Sequence, residues 1–98
     1  MRITLLVDGA KRAVVSDKLV LKICEDVGKC WNDLGIMLNL PDATIRNVDD
    51  DFRRSREKAR AILRIWKERN GDAATVGSLA DALEEVKMKE IAQRLIGM

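Results

Sequence analysis

Residues 53–69 read RRSREKARAILRIWKER and contain the longest helical pattern in the chain. Ala59, Ile62, Leu63 and Trp66 recur at intervals of three and four residues, which places them on one side of an α-helix. Arginine and lysine occupy most of the remaining positions. This pattern predicts a long amphipathic helix whose inner face is apolar and whose outer face is basic.

Shorter helical patterns precede this segment. Ser16 can cap a first helix that ends near Gly28, and a second helix is expected over about residues 30–39. Residues 1–15 show no helical stripe, so we expect them to form a tail or the end of a linker. The folded domain is therefore predicted to cover residues 16–98.

The remaining helices are separated by short connections. Pro41 suits the start of a third helix, because its fixed backbone angle and missing N–H cost little there. Residues 49–51 are all aspartate. They would put negative charge at the C-terminal end of that helix, so we predict that they lie in the following loop. A fifth helix is expected to begin near Thr75 and a sixth near Met88, and six helices with short loops must pack as antiparallel neighbours.

The apolar stripes of these helices predict one hydrophobic core in an all-α bundle. The predicted core consists of Val20, Ile23, Val27, Trp31, Leu34, Leu38, Ile45, Ile62, Leu63, Trp66, Leu79, Leu83, Ile91 and Leu95. At about 100° per residue, Ile36 points away from the stripe of the second helix, and Met37 lies at its edge. We therefore expect Ile36 to be exposed.

The composition is typical of a small helical domain of the cytoplasm. The chain has 98 residues, 47% of them hydrophobic, with one proline, which suits a single all-α domain. Two cysteines are fewer than a small secreted domain usually carries. No apolar run reaches the roughly 20 residues of a membrane span. The net charge is +2, so the overall charge favours neither nucleic acid nor a membrane as a partner.

Residues that enzymes and metal sites need are scarce. The chain has no histidine, which removes the usual general base, the usual metal ligand and any Ser-His or Cys-His pair. Cys24 lies on the stripe of the first helix and is interpreted as a core residue, and Cys30 has no second cysteine at zinc-site spacing. We therefore predict that the chain is not an enzyme and has no catalytic residue, no metal and no cofactor.

An ordered set of short motifs runs from Leu19 to Gly97. It consists of Val27-Gly28 before Trp31, Leu34 with Leu38, Ile45, Leu63-x-x-Trp66, Ala74-Thr75-Val76, Leu79-x-x-Ala82-Leu83 and Ile91-Ala92. No single motif is specific. In this order, with two tryptophans at matching separation, the set resembles the death domain family.

The resemblance implies a fold and a function. The fold would be the death fold, a Greek key of six antiparallel helices. The function would be homotypic binding to the death domain of a receptor tail, a kinase or an adaptor in apoptotic or inflammatory signalling, with self-association into oligomers. Residues 23–29 and 63–67 are similar to adaptor members, and residues 74–79 also resemble kinase members. Ile36 stands where the adaptors have an arginine used in receptor binding, which leaves the receptor partner open.

Separated charges suggest which surfaces would make these contacts. Aspartates cluster on and after the third helix and arginines on the fourth, so two faces of opposite charge allow head-to-tail contact between copies or relatives. The predicted partner-binding residues are Ile36, Met37, Asp42, Arg46, Asp49, Asp50, Arg53, Arg56, Arg60 and Arg64. Two plainer interpretations stay open: the basic face as a solvated helix exterior, and Ile36 as a lone exposed side chain.

Two other functions also stay open. One is the death domain of a larger scaffold or regulatory protein without an apoptotic role. The other is a nucleic-acid-binding helical domain, which the basic fourth helix motivates. The low net charge and the lack of a recognition-helix motif argue against this second alternative.

Overall fold

The computed structural model describes residues 12–97, and its regular structure is helical. The α-helices are α1 (Asp17–Val27), α2 (Trp31–Met37), α3 (Asp42–Asp51), α4 (Ser55–Asn70), α5 (Val76–Glu85) and α6 (Lys89–Gly97). The prediction of an all-α fold is confirmed, while the Greek-key order stays a prediction. Within the described residues, no helix has the length and apolarity that crossing a bilayer requires.

Local chemistry determines where α1 begins and ends. The Ser16 hydroxyl accepts a hydrogen bond from the Leu19 N–H at 3.1 Å, which satisfies one of the free donors of the first turn. Gly28 follows the helix with a φ of 45°, a conformation that glycine adopts without steric cost. A single 3-10 turn, Gly28–Cys30, then leads into α2.

The core is built around α4. This helix packs against α1, α2 and α3, while α5 packs against α2 and α6. Every side chain predicted for the core is buried, including both tryptophans, Trp31 and Trp66. The described residues include no buried polar or charged residue, so apolar burial is the main source of stability of this core.

Gly35 lets α2 approach its two neighbouring helices closely. A Cβ atom at this buried position would lie 3.2 Å from Ile62 Cδ1 of α4 and 3.3 Å from Ile45 Cδ1 of α3. Both distances are shorter than ordinary van der Waals contact. The absence of a side chain at Gly35 therefore permits the close packing of three helices.

The acidic run does not lie in a loop as predicted. α3 extends through Asp51, and the Phe52 N–H still donates to the Val48 carbonyl at 3.1 Å. Lys58 of α4 explains the difference, because its Nζ pairs with the Asp49 carboxylate. This cation from the next helix offsets part of the unfavourable negative charge at the end of α3, and the exposed Asp50 and Asp51 are solvated.

α4 begins later than the sequence pattern predicts. Phe52 and Arg54 have extended backbones, with φ/ψ of −126°/149° and −91°/142°, and Arg54 is the N-cap of the helix. Arg53 therefore lies in the connection between α3 and α4 and not on the helix. Because α3 continues to Asp51, residues 52–54 are needed to redirect the chain into α4.

The residues just before α1 pack on the bundle. The Val15 N–H donates to the Ala74 carbonyl at 2.8 Å, and the Val76 N–H donates to the Ala13 carbonyl at 2.8 Å. The Val15 side chain is 1% exposed. Residues 13–15 are thus part of the packed domain, although the sequence pattern predicts a tail there. Residues 1–11 of the predicted tail lie outside the described residues.

Candidate protein interaction surfaces

The first surface is a basic ridge formed by Leu21, Phe52, Arg60 and Arg64. The two arginines are exposed and lie one turn apart on α4. On one side they line a shallow cleft of about 240 Å³ with Leu21 of α1. On the other side they line a cleft of about 180 Å³ with Phe52. The arginines therefore stand between two apolar side chains that are 43% and 37% exposed.

The charges of Arg60 and Arg64 are not neutralised by ion pairs within the described part of the chain. Asp17, which lines the Leu21 cleft, accepts a hydrogen bond from Lys67 Nζ at 2.9 Å. This hydrogen bond and the charge of Lys67 lower the pKa of Asp17, and the charges of Arg64 and Arg60 add to the effect. The ridge is therefore a region of positive potential.

Two further arginines predicted to bind partners lie outside the ridge itself. Arg56 lines the Phe52 cleft, but its Nε pairs with the Glu25 carboxylate at 3.4 Å. Arg53 is exposed in the connection before α4. The structure thus brings Arg56, Arg60 and Arg64 together around the Phe52 cleft and does not show Arg53 among them.

Two of the four aspartates of the acidic patch predicted on α3 form ion pairs inside the molecule, and the other two, Asp50 and Asp51, do not within residues 12–97. Asp42 and Arg46, both predicted to bind partners, pair with each other at 3.1 Å across one helical turn. Asp49 pairs with Lys58. Asp50 is exposed and forms no ion pair with another residue in the range 12–97. The free acidic surface of α3 is therefore smaller than the run of aspartates suggests.

The second surface is an apolar groove between the C-terminal ends of α2 and α5, which we call the α2–α5 groove. Its lining consists of Asp33, Ile36, Met37, Glu85, Val86 and Lys87. It has a volume of about 250 Å³. Ile36 is 50% exposed and Met37 43%, so the two apolar side chains that the helical pattern directs outward share one open site.

Sequence reasoning did not identify the contribution of α5 to this groove. Lys87 has a φ of 64°, and the Met88 N–H donates to the Leu83 carbonyl at 2.8 Å. This left-handed turn ends α5 and usually carries glycine or asparagine. Because a lysine stands there, the sequence offers no signal that the chain turns at this point and presents Val86 to the groove.

Leu21 and Phe52 were also missed as members of the ridge. Neither belongs to an apolar stripe, and single apolar side chains are common on protein surfaces. Their positions beside Arg60 and Arg64 depend on how α1 and the end of α3 pack against α4. That packing is a tertiary property, so a linear pattern does not reveal it.

Comparison with known proteins identifies the family. Residues 17–98 match the family model described as Death domain. The chain is 38% identical over 71 residues to the FAS-associated death domain protein of Homo sapiens. The aligned residues make up 71% of this chain and 34% of that protein. It is also 33% identical over 85 residues to receptor-interacting serine/threonine-protein kinase 1 of Homo sapiens. This alignment includes 84% of this chain and 13% of the kinase.

A third relative also carries a death domain in its name. The tumor necrosis factor receptor type 1-associated DEATH domain protein of Xenopus laevis is 36% identical over 81 residues, which cover 76% of this chain and 27% of that protein. The chain thus spans about a third or less of the length of these relatives. The predicted likeness to adaptor and kinase members is confirmed. Because the family match extends over residues 17–98, the chain belongs to the death domain family.

Proposed function

We propose that the chain is an interaction module that binds other death domains and that the basic ridge makes the contact. The proposal rests on Arg60 and Arg64, which form no ion pair within residues 12–97 and stand between the exposed Leu21 and Phe52. Charged groups steer the encounter and select the partner, while apolar side chains supply affinity when they are buried. A partner surface with acidic and apolar side chains would match both features.

Family membership supports the class of partner. The names of the three relatives describe association with FAS, interaction with a receptor and association with tumor necrosis factor receptor type 1. For this chain we propose partners of the same kind, namely the death domain of a receptor tail, a kinase or an adaptor. The setting would be apoptotic or inflammatory signalling close to the receptor.

Binding of this kind needs several contacts at once. An exposed ion pair contributes only about 0.2–1 kcal/mol, so two arginines alone would give a weak complex. Leu21 and Phe52 are already more than half buried in the free chain. Their complete burial in a complex can therefore add only a limited amount to the free energy of binding. Assembly would therefore gain strength when several interfaces form together.

The proposed function is binding without a chemical step. The clefts of the ridge present arginines beside apolar side chains, an arrangement that recognises a surface. Cys24 and Cys30 are both free thiols. Free thiols persist in a reducing compartment, which supports a site of action in the cytoplasm.

A double charge reversal tests the role of the ridge. Arg60→Glu/Arg64→Glu should weaken binding to a partner death domain by about tenfold or more, because it replaces attraction with repulsion at the centre of the ridge. Affinity can be measured by biolayer interferometry against purified death domains of a receptor, a kinase and an adaptor. Circular dichroism would first verify that the variant is folded.

The matched control is Arg54→Glu/Arg69→Glu. It makes the same change in net charge at two exposed positions that line neither cleft of the ridge. We expect it to retain most of the wild-type affinity. Equal losses in the two variants, or full affinity in the ridge variant, would contradict the proposal.

A further inference from the structure

The α2–α5 groove presents apolar side chains to solvent. Ile36 is 50% exposed and Met37 43%, and both line the groove together with the half-buried Val86. Exposed apolar side chains that are grouped and rimmed by charge mark an interaction site. Methionine is flexible and adapts to different apolar surfaces, so Met37 suits the groove to an incoming side chain.

The helices on either side of the groove are acidic. Four carboxylates are exposed and form no ion pair within residues 12–97, namely those of Asp33 in α2 and of Asp81, Glu84 and Glu85 in α5. Neither helix carries a lysine or an arginine, and the cation that lines the groove is Lys87 in the turn after α5. The surroundings of the groove are therefore net negative, and a positively charged ligand would match them.

The groove and the basic ridge lie on different sides of the molecule. A Cβ atom at Gly35 of α2 would lie 3.2 Å from Ile62 Cδ1, so Ile62 marks the side of α4 that faces α2. Arg60 and Arg64 are each two residues from Ile62, which is about 200° around a helix of 3.6 residues per turn. The ridge can therefore bind one partner while the groove holds another.

The size of the groove favours the side chains of a peptide over a free small molecule. Its volume of about 250 Å³ lies below the roughly 300–1,000 Å³ of small-molecule pockets. An amphipathic helix presents apolar side chains at intervals of three and four residues and can carry basic residues beside them. A segment that becomes helical on binding has these side chains free, whereas a folded domain has buried most of its own.

We propose that the α2–α5 groove binds an amphipathic helical segment of another protein, in which lysine or arginine stands beside the apolar side chains. The apolar side chains contact Ile36, Met37 and Val86, and the basic side chains pair with Asp33 and Glu85. The groove is then a site for a partner that is not a death domain. One chain can thereby connect a death domain at the ridge with a peptide segment at the groove.

Fluorescence anisotropy with a designed peptide tests this site. The probe is a labelled peptide of about 15 residues with leucine at positions i, i+3, i+4 and i+7 and with lysine and alanine elsewhere. It should bind the wild-type chain saturably, and a peptide of the same composition in scrambled order should bind at least about tenfold more weakly. Equal affinity of the two peptides would show attraction by charge alone, and it would overturn the proposal, as would the absence of saturable binding.

Two groove variants and a matched control test the contacts. Ile36→Arg/Glu85→Lys places positive charge on both walls of the groove and should weaken binding of the probe by about tenfold or more. Val14→Arg/Glu68→Lys makes the same changes at exposed positions that do not line the groove and should retain most of the affinity. Asp33→Asn/Glu85→Gln removes charge alone and should weaken binding by about threefold, so it keeps the test decisive if circular dichroism shows that the first variant is unfolded. Equal losses in the groove and control variants, or wild-type affinity in both groove variants, would overturn the proposal.

Amide shifts in NMR spectra locate the bound probe and separate this inference from the proposed function. The probe should shift the amides of Ile36, Met37 and Val86. Shifts centred on Arg60 and Arg64 would overturn the inference, and so would displacement of the probe from the groove by a second copy of the chain or by another death domain. A chain that binds the probe in the groove but no death domain supports this inference and refutes the proposed function. A chain that binds a death domain at the ridge but not the probe refutes this inference alone.

Discussion

The ammonium group of Lys58 lies 5.3 Å from the centroid of the Trp31 ring. The same nitrogen pairs with the Asp49 carboxylate, so one side chain of α4 connects the start of α2 with the end of α3. The Lys58 side chain is only 16% exposed, which strengthens both contacts relative to a fully solvated lysine. This lysine lies beside the acidic residues that continue α3 where the sequence pattern predicts a loop.

Replacing Lys58 with methionine should destabilise the fold. The substitution keeps most of the apolar stem but removes the charge that contacts Trp31 and Asp49. We expect the free energy of unfolding to fall by about 1 kcal/mol, as for a partly desolvated cation–π contact together with a half-exposed ion pair. Urea unfolding followed by circular dichroism measures this change. Lys22→Met, at an exposed position of α1, is the control, and a loss no larger than in that control would refute the role assigned to Lys58.

Gly35→Ala should also destabilise the fold, although alanine favours helix by about 1 kcal/mol. The new Cβ would lie 3.2 Å from Ile62 Cδ1 and 3.3 Å from Ile45 Cδ1. Both isoleucines are buried and have little room to move, so overpacking should outweigh the gain in propensity and leave a net loss of about 1 kcal/mol.

A double-mutant cycle isolates this overpacking. Ile62→Val removes the Cδ1 atom and should cost about 0.5–1.5 kcal/mol in the wild-type chain. In the Gly35→Ala background it should cost less, because the same atom is then in close contact with the new methyl group. If the two substitutions lower the free energy of unfolding additively, as measured by thermal or urea unfolding, Ile62 does not limit the space at residue 35.

Lys87→Gly should stabilise the fold. Lys87 has a φ of 64°, a left-handed conformation that is unfavourable by roughly 1–2 kcal/mol for a residue with a side chain. Glycine avoids this strain but loses more backbone entropy on folding, so we expect a net gain of about 0.5–1 kcal/mol in urea unfolding. Glu84 is exposed and lies inside α5. Glu84→Gly should therefore lower the free energy of unfolding by about 1 kcal/mol. Losses in both variants would contradict the assignment of Lys87 to the helix-ending turn.

The ion pair between Asp17 and Lys67 should appear in the titration of Asp17. The hydrogen bond from Lys67 holds the pKa of this carboxyl below its ordinary value in the folded chain. The pair therefore stabilises the fold at pH values above the unfolded pKa, and this contribution is lost as the pH falls through the folded pKa.

Carboxyl carbon shifts in an NMR titration measure this effect. Lys67→Gln should raise the pKa of Asp17 toward its ordinary value. Lys18→Gln removes an equal charge next to Asp17 in sequence and should change that pKa less, because the hydrogen bond from Lys67 remains. Identical pKa values of Asp17 in the wild-type and Lys67→Gln chains would refute the assignment.

Helical periodicity was sufficient to predict the core, because the packing of α4 depends on spacing that is visible in the sequence. Ile62, Leu63 and Trp66 recur at the intervals of one helix face and are all buried. The same periodicity directs Ile36 away from the apolar stripe of α2, and this residue is half exposed as predicted.

The remaining features depend on contacts between segments far apart in sequence. The end of α3 could not be predicted, because Lys58 lies beyond the connection that follows it. Val15 belongs to the packed domain because its N–H donates to the carbonyl of Ala74, which is far away in sequence. The ridge and the groove each combine residues of different helices, so only the packed structure shows that Leu21 lies beside Arg64 and that Val86 lies beside Ile36.

Titration of the wild-type chain with purified death domains is the most direct test of the view that this protein works by binding its own kind of fold. Isothermal titration calorimetry at two salt concentrations would follow binding to the death domain of a receptor, a kinase and an adaptor. We predict saturable binding to at least one of them, weakened by added salt because Arg60 and Arg64 contribute charge to the contact. A folded chain that binds none of the three at low salt would contradict this account.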